Sequence, residues 1–308
     1  MNSDGPSIKA ACIVCRESQC KELAHFTSDL DGQPYHVMKC GECGLLFLSP
    51  LPNLTLERLE EIYGGDYVET VFPDGTDELY AGALNRQMEM VEKYATKGDV
   101  LNVGAMGSEV RVFRERGWRL RIVDASRYAV ERARQRGDYD ITVSKLEDYP
   151  CPPESFDFVK LGHVIEHLAD PALGLDKIRT LLRKGGFVLI DTDNAEGLET
   201  RIEAALMGMM RIQMVRTMAE KMAGKKYHLR YGRLTPPVHL YTFTFKSLIR
   251  LLESKGFEIA RTFNPAWGDP TWFPLTKRSL LETTFARIDQ LGAKFGHGNV
   301  ITILARKL

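Results

Sequence analysis

The sequence predicts an α/β protein: an open, doubly wound, mostly parallel sheet, preceded by a small zinc ribbon. Three observations carry that expectation. From Asp99 onward, short β-branched runs alternate with amphipathic helical stretches. The stretch "VLNVGAMGSEVRVFRERG", residues 100–117, runs strand, tight glycine turn, helix, as where a nucleotide-like cofactor meets such a sheet. Two C-x2-C pairs stand near the start of the chain.

The ribbon is assigned to residues 1–50. Cys12 and Cys15 form one pair and Cys40 and Cys43, in "KCGECG", the other, with 24 residues between them that suit a short hairpin turning at "DGQP". Two thiolate pairs supply the four soft ligands that tetrahedral zinc prefers, and the metal replaces a core that so short a segment cannot build. Cys20 and Cys151 lack a spaced partner and read as plain small residues.

A helical linker is expected over 51–96. "LTLERLEEIY" is apolar at Leu56, Leu59 and Ile62, and "DELYAGALNRQMEMVEKYA" carries Leu84, Met88, Val91 and Ala95 at helical spacing. The main domain, 97–308, follows: strand 99–103, helix 108–117, strand 119–123, helix 126–137, strands 140–143 and 156–161, helix 171–184, strand 186–192. That alternation implies parallel strands joined by right-handed crossovers.

The turn names the kind of cofactor. Gly104 and Gly107 give only G-x-x-G, with Glu109 where a dinucleotide loop would want a third glycine. Asp124 stands at the end of the second strand, 20 residues after Gly104, where a carboxylate accepts both ribose hydroxyls of a nucleoside; its other reading is a helix cap, for which Ser126 also qualifies. A nucleoside without a pyrophosphate needs fewer glycines, which points to S-adenosylmethionine.

The later segments "SFDFVKLGHVIEHLADP", "LRKGGFVLIDTDN", "HLYTFTFKSLIRLLESKGFEI" and "NVITILARKL" make the chain resemble a class I S-adenosylmethionine-dependent methyltransferase with an N-terminal zinc ribbon. The resemblance covers nearly the whole chain. It implies seven strands, the last antiparallel, with cofactor and substrate over the carboxyl ends of the strands. It also implies that Gly104 and Gly107 flank the methionine of the cofactor, Asp124 holds the ribose, and Leu146 and Glu147 edge the adenine. Such enzymes usually carry an acid where Asn102 stands, so a neutral amide at this cofactor-contacting position implies a weakened loop.

Chemistry is expected just past the fourth strand of the main domain. His163, Glu166 and His167 are spaced i, i+3, i+4, on one side if the segment is helical. The spacing is similar to the E-x-x-E-H metal motif of certain O-methyltransferases, with His163 for the first glutamate and His239 for a further histidine beyond the insertion. Three roles are open: His163 as general base or substrate-orienting group, a second, divalent metal on His163, Glu166, His167 and His239, or a structural role, as for a Glu166 set against the helix dipole.

An insertion at about 195–238 separates these segments. Residues 201–234 hold six of the eleven methionines, with eight Lys or Arg against two Glu, and Met207, Met210, Met214 and Met218 make a helical stripe. A packed amphipathic helix, a lid or an adaptable contact surface would each produce it.

Lys plus Arg equal Asp plus Glu at 41 each, so no global field gathers nucleic acid. No apolar run approaches a membrane span and the first residues lack a signal pattern, from which a cytoplasmic protein is expected. The expected reaction is methyl transfer to an oxygen or carbon of a small molecule, such as a sugar or natural-product intermediate. RNA methylation and a catalytically silent cofactor-binding module are the alternatives.

Overall fold

A computed structural model of the chain describes residues 10–28, 30–71, 77–105, 108–135, 140–210, 233–266 and 280–308. Gly107, Met214 and Met218 lie outside them, and so does most of the methionine-rich stretch.

The strands of the main domain are β4 (Asp99–Val103), β5 (Arg119–Asp124), β6 (Ile141–Val143), β7 (Phe156–Gly162), β8 (Leu182–Asp193), β10 (Phe257–Phe263) and β11 (Val300–Lys307). They form one sheet in the order β10-β11-β8-β7-β4-β5-β6. The pairs from β6 to β8 are parallel, and β11 runs antiparallel to both β8 and β10. The order reverses beside β4, so the crevice outside the carboxyl ends of β4 and β7 is where a ligand site forms.

Helices cover both faces. On one, α3 (Asp77–Val91) and α4 (Ser108–Glu115) bury Leu84, Met88, Val91, Val112 and Phe113 against Val100, Phe158 and Leu189. On the other, α6 (Pro171–Leu181) and α8 (Phe245–Ser254) bury Leu175, Ile178, Leu248 and Leu251 against Val159, Val188 and Ile303. The caps are local and legible: Ser126 receives the Ala129 N–H at the start of α5 (Arg127–Arg134), Asp170 caps α6 ahead of Pro171, and Thr244 and Ser247 close a capping box on α8. Because Ser126 does the capping, Asp124 is left for another task.

The structure moves one boundary. The helix expected over 171–184 ends at Leu181, and β8 begins at Leu182 rather than 186. Phe156 pairs with Leu182 and Phe158 already with Phe187, so the glycine pair is a bulge inside the strand. Gly185, at φ 75°, supplies the left-handed residue that the bulge needs.

The ribbon hairpin forms as β1 (Cys20–Thr27) and β2 (Pro34–Cys40), followed by β3 (Leu46–Ser49). Its sheet is completed by β9 (Tyr241–Thr242), a strand from beyond the insertion that pairs with Leu46 and Phe47. Local periodicity cannot find a two-residue strand whose partner lies almost two hundred positions away. A single core therefore runs from Cys12, Val37 and Leu48 to Leu240, Phe243 and Ile301. Two further helices follow the ribbon, α1 (Leu56–Ile62), whose C-cap Tyr63 accepts the Ser126 hydroxyl through its carbonyl, and α2 (Gly65–Val71), whose Val68 packs with Ala129 and Val130 of α5. The remaining helices are α7 (Leu198–Met210) and α9 (Leu280–Lys294), and no described helix is long and apolar enough to cross a membrane.

Candidate functional site

Four cysteines meet at the head of the ribbon. Cys12 and Cys43 sulfurs are 3.6 Å apart, Cys15 and Cys40 3.3 Å, Cys15 and Cys43 3.8 Å. A tetrahedral ion with bonds of about 2.3 Å to sulfur spaces its ligands about 3.7–3.8 Å apart, so the four thiols fit one such ion. Hydrogen bonding from Cys43 pulls the Cys12 thiol down to about 5, while the same bond pushes Cys43 up and burial raises Cys15.

The second centre lies at the carboxyl edge of the main sheet. After β4 the chain turns through Gly104, whose φ of 97° is a conformation that L side chains rarely adopt. Asp124, half-buried at the end of β5, accepts the Ala105 N–H at 2.6 Å on one oxygen and the Ser126 N–H at 2.7 Å on the other. Burial raises its pKa while these two bonds hold it down. Each carboxylate oxygen retains a lone pair for a ribose hydroxyl. The Ser144 N–H donates to the Asp124 carbonyl, which sets buried Leu146 and half-buried Glu147 beside the same strand end.

Asn102 is buried beneath the loop. Its amide donates to the Gly104 carbonyl at 2.6 Å and to Glu109 at 3.2 Å, and Glu109 is itself only 2% exposed. The carboxylate that the β4 end lacks thus stands seven residues later, in the first turn of α4. The Asn102 amide and the buried Glu109 carboxylate pair beneath the turn where the sequence leads to the expectation of a weakened loop.

His163, Glu166 and His167 do not share a helix face. His163 sits at φ 54°, a strained left-handed position, and only Ile165–His167 form a single 3-10 turn. The His163 N–H donates to the Asp191 carbonyl, and its Nδ1 lies 3.2 Å from the fully buried Glu166, whose other oxygen accepts the Thr192 hydroxyl at 2.9 Å. Burial opposes a charge on His163, but the Glu166 hydrogen bond and the nearby Asp193 and Asp191 carboxylates outweigh it and raise its pKa.

The strand β9 delivers His239. The Leu240 N–H bonds the Glu166 carbonyl and the Tyr241 hydroxyl the Ala169 carbonyl, so the His167 and His239 rings stand 4.5 Å apart. His167 Nδ1 is 2.9 Å from the Val238 carbonyl, and His239 Nδ1 is 2.9 Å from the Arg233 carbonyl. A carbonyl only accepts, so both rings carry their proton on Nδ1 and keep the Nε2 lone pair. Burial and the neighbouring His239 lower His167 to about 4, and burial lowers His239 too.

The four residues expected around one metal thus separate into two overlapping groups. Ligand atoms of Glu166, His167 and His239 all lie within 4.8 Å of one another, as do those of His163, Glu166 and Asp193. Glu166 is common to both. Sequence reasoning missed Asp193, though it directly follows the expected strand 186–192 in "LIDTDN", and Tyr63. The Tyr63 hydroxyl lies 3.0 Å from His167 Nδ1 and its carbonyl accepts the Ser126 hydroxyl, so α1 joins the two halves of the edge. No motif announces such a residue.

A family profile described as a methyltransferase domain matches residues 77–262, and the chain belongs to that family. No curated protein matches it in sequence. Among solved structures it is similar to a chain of the complex between the Haloferax volcanii Trm112 methyltransferase activator and a methyltransferase. Identity there is 13%, coverage 80% of this chain and 96% of that one, and the TM-score 0.54. It is also similar to a SAM-dependent methyltransferase from Archaeoglobus fulgidus, at 17% identity, 78% and 97% coverage and a TM-score of 0.51. The family match makes the chain a methyltransferase-domain protein, and its seven-stranded sheet with an antiparallel last strand is the class I methyltransferase fold.

Proposed function

We propose that this methyltransferase moves the methyl of S-adenosylmethionine to an oxygen or carbon of a small molecule, with His163 as general base, and that the four-cysteine ribbon holds zinc. The observation that carries the reading is the His163–Glu166 pair, held at the carboxyl edge next to the turn at Gly104. The methyl group itself comes from the sulfonium of the cofactor as an electrophile. The chain's task is to align the acceptor and take its proton. An imidazole whose Nδ1 faces a carboxylate, with its pKa raised by that bond, has Nε2 as its base. Asp124 would receive the ribose hydroxyls, Gly104 and Gly107 would flank the methionine, and Leu146 and Glu147 would edge the adenine.

The test separates the roles. His163→Ala is expected to lower turnover by ~10²-fold with S-adenosylhomocysteine affinity unchanged. Asp124→Ala is expected to weaken that affinity by ~2 kcal/mol, about thirtyfold. Calorimetry and a methyl-transfer assay on one substrate read both. Full turnover in His163→Ala would sink the base.

The convergence of Glu166, His167 and His239 favours a second reading, with a divalent ion on these three that orients and acidifies the acceptor. Backbone carbonyls fix both imidazoles by Nδ1, the support usual for metal-bound histidines. Chelator-treated protein is then expected to lose turnover and regain it with Mg²⁺, Mn²⁺ or Co²⁺ while the ribbon ion stays. Unchanged turnover after chelation removes this reading and leaves the base.

A further inference from the structure

We propose that Glu22, His25 and His36, on the outer hairpin of the ribbon, form a separate binding site for a divalent transition-metal ion of the Zn²⁺, Co²⁺ and Ni²⁺ class. The residues belong neither to the four-cysteine group nor to the cluster at the sheet edge. Their arrangement depends on one irregularity in β1. In a regular strand residues i and i+3 point to opposite faces, so Glu22 and His25 would be kept apart. The pairing runs Glu22 with Met38 and then Ala24 with Val37, leaving Leu23 as an extra residue. That bulge turns Glu22 onto the face of His25, which is directly paired with His36 on β2.

The distances match those around an ion. Glu22 Oε1 lies 3.1 Å from His25 Nδ1 and 3.2 Å from His36 Nδ1, and ligand atoms of all three residues lie within 4.8 Å of one another. Bonds of about 2.0–2.2 Å to nitrogen and oxygen place adjacent ligand atoms about 3.0–3.5 Å apart. A second observation is independent of spacing. His36 Nδ1 is buried, and despite its closeness to Glu22 it has no aligned hydrogen-bond partner among the described residues. Glu22 faces this buried nitrogen at 3.2 Å but out of hydrogen-bond alignment, and an ion shared with Glu22 and His25 would satisfy it.

Two imidazoles and one carboxylate select borderline transition ions over Mg²⁺ or Ca²⁺, which require oxygen ligands. His25 is 77% exposed, so the remaining coordination positions open to solvent, where water or a ligand can enter.

The probe is Zn²⁺ titrated calorimetrically into purified protein whose ribbon ion is in place, with Mg²⁺ as control. One equivalent beyond the ribbon ion is expected to bind in the wild type, and Mg²⁺ not to compete. His25→Ala and His36→Ala are each expected to weaken it at least tenfold. Glu22→Gln, which keeps the shape of the side chain, is expected to do likewise without lowering the melting temperature of the protein that holds only its ribbon ion. Zn²⁺ uptake that survives all three changes, or that is lost instead in His239→Ala, would overturn the proposal.

Discussion

The cysteine ribbon and the histidine cluster at the sheet edge are both gatherings of ligand-type side chains, yet they are built in opposite ways. The ribbon draws its four sulfurs from two C-x2-C knuckles within 32 residues of one another. The cluster draws Tyr63 from the end of α1, His163 to His167 from the turn after β7, Asp193 from the end of β8 and His239 from beyond the insertion. In the first the backbone of each knuckle sets the geometry. In the second, packing does. The two are nevertheless joined, because β9 pairs with the ribbon strand β3 immediately after His239, and the Thr244 hydroxyl donates to the Cys43 carbonyl.

That junction makes the strongest test. Cys40→Ser is expected to lose about one zinc per chain and to unfold the ribbon, since metal binding in so small a unit contributes of order 10 kcal/mol to folding. Because β3 then lets go of β9, hydrogen exchange at Leu240 to Phe243 should accelerate and methyl transfer should fall. Amides of β9 that stay protected after zinc loss would show the two regions to be independent.

A smaller effect separates them by pH. The folded pKa of His167, at about 4, lies below the ordinary histidine value of 6.5. As pH falls from about 6.5 to about 4 the unfolded chain takes the proton first. Stability declines across that window by ~1–2 kcal/mol after allowance for partial exposure, and this group adds no further loss below it. His163 works in the opposite sense. Its raised pKa favours the fold at low pH, and that contribution is lost as pH rises through the raised value. Melting curves at pH 7 and pH 5 should therefore differ more in the wild type than in His167→Gln.

The smallest effect concerns the turn after β4. Asn102→Asp would set a second carboxylate 3.2 Å from Glu109 and oppose the Gly104 carbonyl, so it is expected to weaken S-adenosylhomocysteine binding by ~1 kcal/mol. Tighter binding, read by the same calorimetry, would mean that Glu109 does not replace the missing acid.

These differences follow what a linear pattern can carry. The alternation of strands and helices, the caps at Ser126 and Asp170, the cysteine knuckles and the place of Asp124 rest on spacings within a few residues of one another, and local backbone geometry enforces them. Positions from different segments were recognisable only as residue types. Tertiary structure decided that Glu109 folds back under Asn102, that His163 leaves the helical turn for φ 54°, and that the histidines divide between two groups sharing Glu166. It also decided that a bulge at Leu23 turns Glu22 toward His25. The physical reason is the same each time. A period of 2 or 3.6 fixes which neighbours on one element share a face, whereas contacts between elements depend on how whole faces pack, and the buried carboxylate of Glu166 finds its partners only there.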